Sequence, residues 1–419
     1  VHDLQKDSTL PEQRTRPSTH QTGTQQMSSN ASTSVSSPAL NSPGELQQDS
    51  AIFRALAEML AHGGIRINGG NPWDIQLHRA GVPERAFAQA NLGLGEAYMD
   101  GDWDAEQLDE FFSRLLRTRL TDNIKPLRLV GHVLAAKFMN RQNLKRSRMV
   151  GEVHYDLGND FYAAMLDSRM TYTCGYWNTA TTLEEAQEAK LDLICRKLQL
   201  KPGMRVLDIG CGWGSFMAFA AERYGVEAVG VSISKEQIAL AKERYGHLPL
   251  DFRLQDYREL NERFDAIVSI GMFEHVGRRN YRTYMDVAHR CLADDGLFLL
   301  HTIGKNQRKS SPDPWIDKYI FPNGDLPSIG QMGDAFDHLF VVEDLHNFGA
   351  DYDKTLMAWH SNFEAAWPRF EAQLGARFRR MWRYYLLSCA GAFRARDIQL
   401  WQWVLSKKGV IGGYRRERI

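Results

Sequence analysis

Val206-Leu207-Asp208-Ile209-Gly210-Cys211-Gly212-Trp213-Gly214 decides the fold. An apolar run ends in an acid, and glycines follow at alternate positions. This predicts a buried strand, a tight turn and a helix from Ser215 to Tyr224. Glycine removes the Cβ where the backbone turns sharply and approaches a ligand. The following helix offers its N-terminal N–H groups and the positive end of its dipole. The pattern D-x-G-x-G-x-G differs from the G-x-G-x-x-G of dinucleotide sites. Alone it is also compatible with an ordinary β–α turn.

The flanking sequence continues the alternation. Strands are expected at 205–209, 227–233, 250–254, 266–270 and 297–302, and helices at 215–224, 235–245 and 280–292. Such spacing predicts a parallel sheet covered on both faces. Ligands in these sheets bind beyond the carboxyl ends of the strands, so chemistry should follow the strands. Thr182 and Glu185 form a capping box for a helix running to Leu198.

Composition narrows the function. The 419 residues suffice for one large domain and a smaller one, and 51 basic residues balance 51 acidic ones. No global field therefore favours nucleic acid. No apolar run approaches a membrane span and no signal-peptide core precedes the folded part, so any membrane association would be peripheral. Cys174, Cys195, Cys211, Cys291 and Cys389 are scattered without C-x-x-C spacing, which argues against a disulfide framework or zinc site and fits a reducing cytoplasm. A His/Glu metal site also lacks suitable spacing, and no metal is expected.

Residues 1–50 are rich in Ser, Thr and Gln and contain no Phe, Trp or Tyr, the composition of a disordered tail. Residues 51–150 read as a small, mainly helical domain, with a helix from Ala51, a short strand at Ile65–Asn68 and a helix at Leu108–Leu120. It could dock the protein on lipid, pair two copies as a homodimer, or both. Ile124–Gly151 carries Lys125, Arg128, Lys137, Arg141, Lys145, Arg146 and Arg148, no acid, and interleaved apolar residues. A basic amphipathic helix of this kind suits an anionic bilayer, and equally a basic face packed on the main domain. Residues 151–405 form the expected catalytic domain and 406–419 a basic tail.

Candidate chemical groups follow the strands. After the second come Ser232, Ile233 and Gln237; Gln237 could bond a ribose, or Ser234 and Gln237 could only cap a helix. After the third come Asp256, suited to an adenine amino group or to solvent, and Tyr257, suited to the ring face. After the fourth comes Glu274, a carboxylate placed to act as a base or orient one, and after the fifth comes His301 at the same end of the sheet, suited to catalysis beside Glu274 or to a structural role.

Together these stretches resemble the cyclopropane fatty acid synthases, a family of class I S-adenosylmethionine-dependent methyltransferases. The resemblance rests on HYDLGNDFY, MTYTCGYW, LDIGCGWGS, VGVSISKEQ, GMFEHVG, HTIG, DPWIDKYIFPNGDLPS, HNFGADYDKTLMAW and CAGAFRARDIQLWQ, spanning roughly Ala51 to Trp401. The front domain is similar to that of the bacterial phospholipid-modifying branch. The resemblance implies an α/β, Rossmann-like fold with a mixed, mostly parallel sheet. It also implies methyl transfer to a cis double bond of a membrane phospholipid acyl chain, deprotonation of the resulting cation, and ring closure at the cytoplasmic face of the membrane.

The resemblance further implies that bicarbonate is the base, caged by Cys174, Glu274, His301, Ile303 and Tyr352. The cofactor site would comprise Tyr172, Thr173, Asp208, Gly210, Gly212, Trp213, Gly214, Ser232, Ile233, Gln237, Asp256 and Tyr257. Cys389 has been regarded as a nucleophile in the family, although alkene methylation needs no protein thiolate. Alternatives are a lipid alkene methyltransferase giving a branched or methylene product, and a silent lipid-binding protein with this fold.

Overall fold

The computed structural model describes residues 51–119, 157–308 and 312–417. The tail, the basic segment 124–151 and His154 to Asp156 lie outside the described residues. A two-stranded ribbon, β1 Gln76–Leu77 and β2 Trp103–Asp104, precedes the main sheet. Seven strands form that sheet: β3 Arg205–Ile209, β4 Glu227–Ser232, β5 Leu250–Leu254, β6 Phe264–Ile270, β7 Leu292–Lys305, β8 Val341–Asn347 and β9 Ile398–Ser406. Their order is β5-β4-β3-β6-β7-β9-β8. β3 to β7 run parallel, and β9 lies antiparallel between β7 and β8. The sheet is therefore mixed and mostly parallel, as the resemblance implies.

The strands are apolar because both faces are covered. Val206, Leu207, Ile267, Val268, Phe298, Leu299, Leu400 and Val404 are all fully buried. The crossover helices are those the periodicity predicts: Ser215–Tyr224, Lys235–Tyr245 and Tyr281–Cys291. The helix Leu183–Lys197 precedes β3, and Thr182 and Glu185 cap it reciprocally. β6 and β7 extend beyond the expected limits, and β7 reaches Lys305.

Residues 51–119 contribute the helices Ala51–Ala61, Val82–Gln89, Asn91–Met99 and Leu108–Arg117, together with the ribbon. The strand expected at Ile65–Asn68 is reduced to one bridge, Ile67 to Ile75. The reason is local. Asn68 adopts a left-handed φ of 54°, and the Asp74 carboxylate accepts from the Arg66 and Asn71 backbone N–H groups, both at 2.8 Å. Those bonds turn the chain instead of extending it.

This front segment shares its core with the C-terminal helical stretch Glu371–Arg394, which is broken by a kink at Gly375. Tyr384 is fully buried; it packs edge-on to Phe112 at 5.2 Å and lies 4.5 Å from Trp315. Its hydroxyl donates to Asn91 Oδ1 at 2.6 Å, and Asn91 Nδ2 donates to Asp313 at 2.9 Å. The helices meet at Gly391, where an added Cβ would lie 2.5 Å from the Asp109 carbonyl oxygen. Burying each such aromatic is worth about 2–3 kcal/mol. No helix among the described residues is long and apolar enough to cross a membrane.

Candidate active site

The glycine turn leaves β3 with Gly210, Gly212 and Gly214 at φ 91°, 55° and 82°. Those conformations favour glycine. The Gly210 and Cys211 N–H groups donate to Val231 O at 2.9 and 3.2 Å, fixing the turn to β4. Neighbours close it further: an added Cβ would lie 2.6 Å from Met272 Cγ at Gly210, and 2.6 Å from Phe252 Cε1 at Gly214. Trp213 is buried; its Nε1 donates to Asn159 Oδ1 at 2.9 Å and its ring lies 5.3 Å from Tyr162. Through them the GNDFY stretch is anchored against the turn.

A cavity of about 770 Å³ begins here. Asp208, Gly210, Gly212, Trp213, Ser232, Ile233, Gln237 and Tyr257 line one end. Tyr172, Thr173, Glu274, Ile303, Tyr352 and Cys389 line its continuation, and Leu56, Leu60, Phe111, Phe112 and Leu115 of the front segment also border it. Gly214 and Asp256 do not contribute to the wall. Asp256 is engaged elsewhere: Arg258 Nε and Nη2 donate to its two oxygens, each at 2.8 Å, and the Arg258 N–H adds a third bond at 2.9 Å. Gln255 and Tyr257 flank it on the wall.

Gln237 takes part in the helix cap and also lines the cavity. Its N–H donates to Ser234 Oγ at 3.3 Å, which is the capping bond. Its side chain is not used in a reciprocal cap; it faces Ser232 Oγ at 3.5 Å and lines the cavity.

Lys190 is a wall residue that the sequence reading did not single out. It is fully buried and its Nζ donates to Thr173 Oγ1 at 2.8 Å. Burial lowers its pKa to about 8, against the pull of Asp167 and Asp208. Burial likewise raises Asp208 to about 7, with Lys190 opposing. The signal available was position alone: Lys190 falls four residues after Ala186 and four before Ile194, on the helix's buried face.

At the far side of the turn, Glu274 is 7% exposed. Its Oε1 accepts from the Ile303 N–H at 2.7 Å, while Oε2 is buried without a hydrogen-bond partner. Burial raises its pKa to about 7, and the Ile303 bond only partly offsets that. His301 is 1% exposed, pairs in register with Ile270, and has an unpartnered Nε2. Burial, together with Lys190 and Lys197, holds its pKa well below the usual imidazole value, so the ring is neutral.

Tyr352 stacks on Phe393 at 4.5 Å and meets Trp359 edge-on at 6.0 Å. Cys174 is fully buried off the cavity wall, with Sγ directed to Gly175 O at 3.1 Å, and burial pushes its thiol well up. Cys389 does line the cavity, but burial raises its thiol to about 12, so it is not a thiolate.

A glycine turn after the first core strand, a polar residue after the second, and a cavity beyond the carboxyl ends of parallel strands define a class I S-adenosylmethionine-dependent methyltransferase. The left-handed glycines and orphaned Asp208 Oδ1 fit the cofactor's compact amino-acid end. The Mycolic acid cyclopropane synthetase family model matches residues 142–403, and the chain belongs to that family. The cyclopropane-fatty-acyl-phospholipid synthase of Escherichia coli strain K12 is 53% identical over 371 residues, covering 87% of this chain and 96% of its own.

Cyclopropane mycolic acid synthase 2 of Mycobacterium leprae is 36% identical over 64% of this chain and 96% of its own. Among solved structures, the Mycobacterium tuberculosis cyclopropane synthase MmaA2 matches at 33% identity and TM-score 0.59, covering 62% of this chain and 98% of its own. The mycolic acid cyclopropane synthase CmaA1 complexed with SAH and CTAB matches at 35% and 0.59, over 62% and 98%.

Proposed function

We propose that the protein converts the cis double bond of an unsaturated phospholipid acyl chain into a cyclopropane ring. The observation carrying this reading is the continuous cavity that borders both the glycine turn and apolar side chains of the front segment. The 53% identity to the E. coli synthase, with 96% of that protein covered, supports the phospholipid as acceptor.

When bound, S-adenosylmethionine supplies an electrophilic methyl group. The glycine turn and Asp208 would hold its amino-acid end, Ser232 and Gln237 its ribose, and Gln255 and Tyr257 its base. Transfer of that methyl to one alkene carbon would develop positive charge on the neighbouring lipid carbon. Tyr172, Tyr352 and Phe393 present aromatic groups to the cavity, which favour that cation and exclude water. Loss of one proton from the new methyl and closure of the last C–C bond complete the ring.

When bound, bicarbonate supplies the base. Glu274 Oε2, on a cavity-lining residue, and His301 Nε2, on a residue off that lining, are each buried without a partner, which supports a small oxyanion between them. Glu274 would hold it while itself protonated, because a carboxylate would repel it, and burial favours that proton. The Ile303 N–H already serves Glu274 Oε1, so Ile303 acts by orienting that carboxyl. Tyr352, on the cavity wall, would complete the proposed cage; Cys174 lies off that wall with its Sγ turned to the Gly175 carbonyl.

The protein works at the cytoplasmic face of the membrane, with Lys145, Arg146 and Arg148 supplying affinity for anionic lipid. A triple charge reversal should reduce co-sedimentation with anionic vesicles; unchanged binding would remove this part of the reading.

The function is tested by incubating the protein with S-adenosylmethionine and unsaturated phospholipid vesicles and analysing the fatty acids by mass spectrometry. Gain of one CH2 with a ring at the former double bond is expected. A branch or methylene group would make it a different alkene methyltransferase, and no gain would overturn the phospholipid assignment.

A further inference from the structure

His301 is neutral, and its usefulness depends on which ring nitrogen carries the proton. With the proton on Nε2 the unpartnered nitrogen is a donor and can bind an anion; with the proton on Nδ1 it is a lone pair and repels one. Neighbouring groups decide between these tautomers.

Lys197 ends the helix Leu183–Lys197 and is fully buried. Its Nζ donates to Gln402 Oε1 at 2.8 Å. An ammonium head at that distance requires the amide oxygen, not the amide nitrogen, to face it. Gln402 is also fully buried, and its remaining group, the Nε2 amide, lies 3.2 Å from His301 Nδ1. The amide nitrogen can only donate, so His301 Nδ1 must accept. The ring proton is therefore on Nε2.

The backbone supports the same arrangement. Gln402 stands directly opposite His301 across the β7–β9 ladder and opposite His346 across β8–β9. Lys197 Nζ additionally reaches His346 Nδ1 at 3.1 Å and Asp344 Oδ2 at 3.8 Å, and the Lys197 and Asp344 side chains are almost wholly excluded from solvent. A charge so anchored has little freedom to release the amide. Phe348 lies edge-on to the His301 ring at 5.8 Å and limits its rotation.

We propose that Lys197 and Gln402 are positioning residues that fix His301 as the Nε2–H tautomer, so that a hydrogen-bond donor is presented to the anion in the active site. The relay begins at a helix C-terminus, passes through the centre of the final strand, and ends on the fifth parallel strand. It deepens the proposed function, on whose assignment of His301 to the anion cage it rests. The tautomer itself is a separate claim and is read separately.

The experiment uses the full chain labelled with 15N-histidine. Two-bond 1H–15N correlation, assigned with His301→Gln, identifies the protonated ring nitrogen. The wild-type protein should show Nε2–H. Gln402→Glu puts a carboxylate against Nδ1 while keeping an acceptor for Lys197, and should move the proton to Nδ1. That variant should bind S-adenosylmethionine with unchanged Kd by calorimetry, and lose turnover about 10- to 100-fold, the range seen when a partner orienting a metal-bound imidazole is removed.

Wild-type Nδ1–H would overturn the relay, and needs no variant to fold. A proton that moves with no loss of turnover would leave the tautomer assignment standing and overturn the role of His301 in the reaction. A proton that moves together with a loss of turnover, at unchanged cofactor affinity, is the supporting result.

Discussion

Replacing Glu274 by Gln should change the pH dependence of stability by an amount that the structure sets. Burial holds the folded-state carboxyl at about 7, against an ordinary value of 4.5. The folded protein therefore binds more protons than the unfolded chain between those pH values. The protonated, buried carboxyl is tolerated in full below pH 4.5, and stability falls as the pH rises through 7.

At about 1.4 kcal/mol per pH unit, moving a carboxyl from 4.5 to about 7 amounts to about 3 kcal/mol at alkaline pH. Glutamine keeps an oxygen for the Ile303 N–H and has no proton to lose. The variant should thus gain on the wild type by about 2–3 kcal/mol between about pH 5 and about pH 8.5. Urea unfolding of both proteins at the two pH values measures this, and Asp208, which shifts in the same sense, cancels in the comparison. A stability difference that stays constant across the range would refute the burial argument. Turnover in the same variant should fall about 100-fold or more, since the anion would lose the proton Glu274 shares with it.

Further outcomes follow from other contacts. Gly214→Ala forces a left-handed φ and a Cβ 2.6 Å from Phe252, and should cost about 2 kcal/mol or more in thermal unfolding, with weakened S-adenosylmethionine binding by calorimetry. Lys190→Met removes the charge that opposes the upward shift of Asp208, so that carboxyl should hold its proton more firmly and S-adenosylmethionine affinity should fall about tenfold by calorimetry. Cys389 should resist iodoacetamide at about pH 8 by at least about 100-fold relative to a free thiol, as followed by mass spectrometry, because only the thiolate reacts. Its replacement by Ser should retain methyl transfer.

The half of the sheet that carries the glycine turn was legible because each strand is short, apolar and closed by a turn. β3, β5 and two of the crossover helices start and end where the periodicity puts them. β9 was not legible. Ile398–Ser406 is buried along almost its whole length and carries Gln399 and Gln402 among tryptophans, so neither alternation nor an unbroken apolar run marks it. Its residues read as the end of a motif rather than as a central strand.

The site divides in the same way. Residues on the glycine turn and after β4 could be placed from sequence, because the fold rule puts them at one edge. Asp256 could not, because a neighbour two residues away, Arg258, claims its carboxylate. Lys190 had only its place on the helix's buried face to mark it, and Lys197 and Gln402 had nothing, because lysine and glutamine ordinarily face water. Only the assembled sheet shows that they do not.

The place of β9 in the sheet bears on biosynthesis. Translation delivers β3 to β7 first, then β8, and last the strand that must enter between β7 and β8. Until then the outer edge of β7, with Leu297 and Leu299 along it, has no partner and is open to other nascent chains. A ribosome stalled within the codons for this last strand would hold a polypeptide with its glycine turn formed and its histidine unaligned. Quality control would meet this protein as an unfinished edge, and the sheet would close only once its last strand in chain order had emerged.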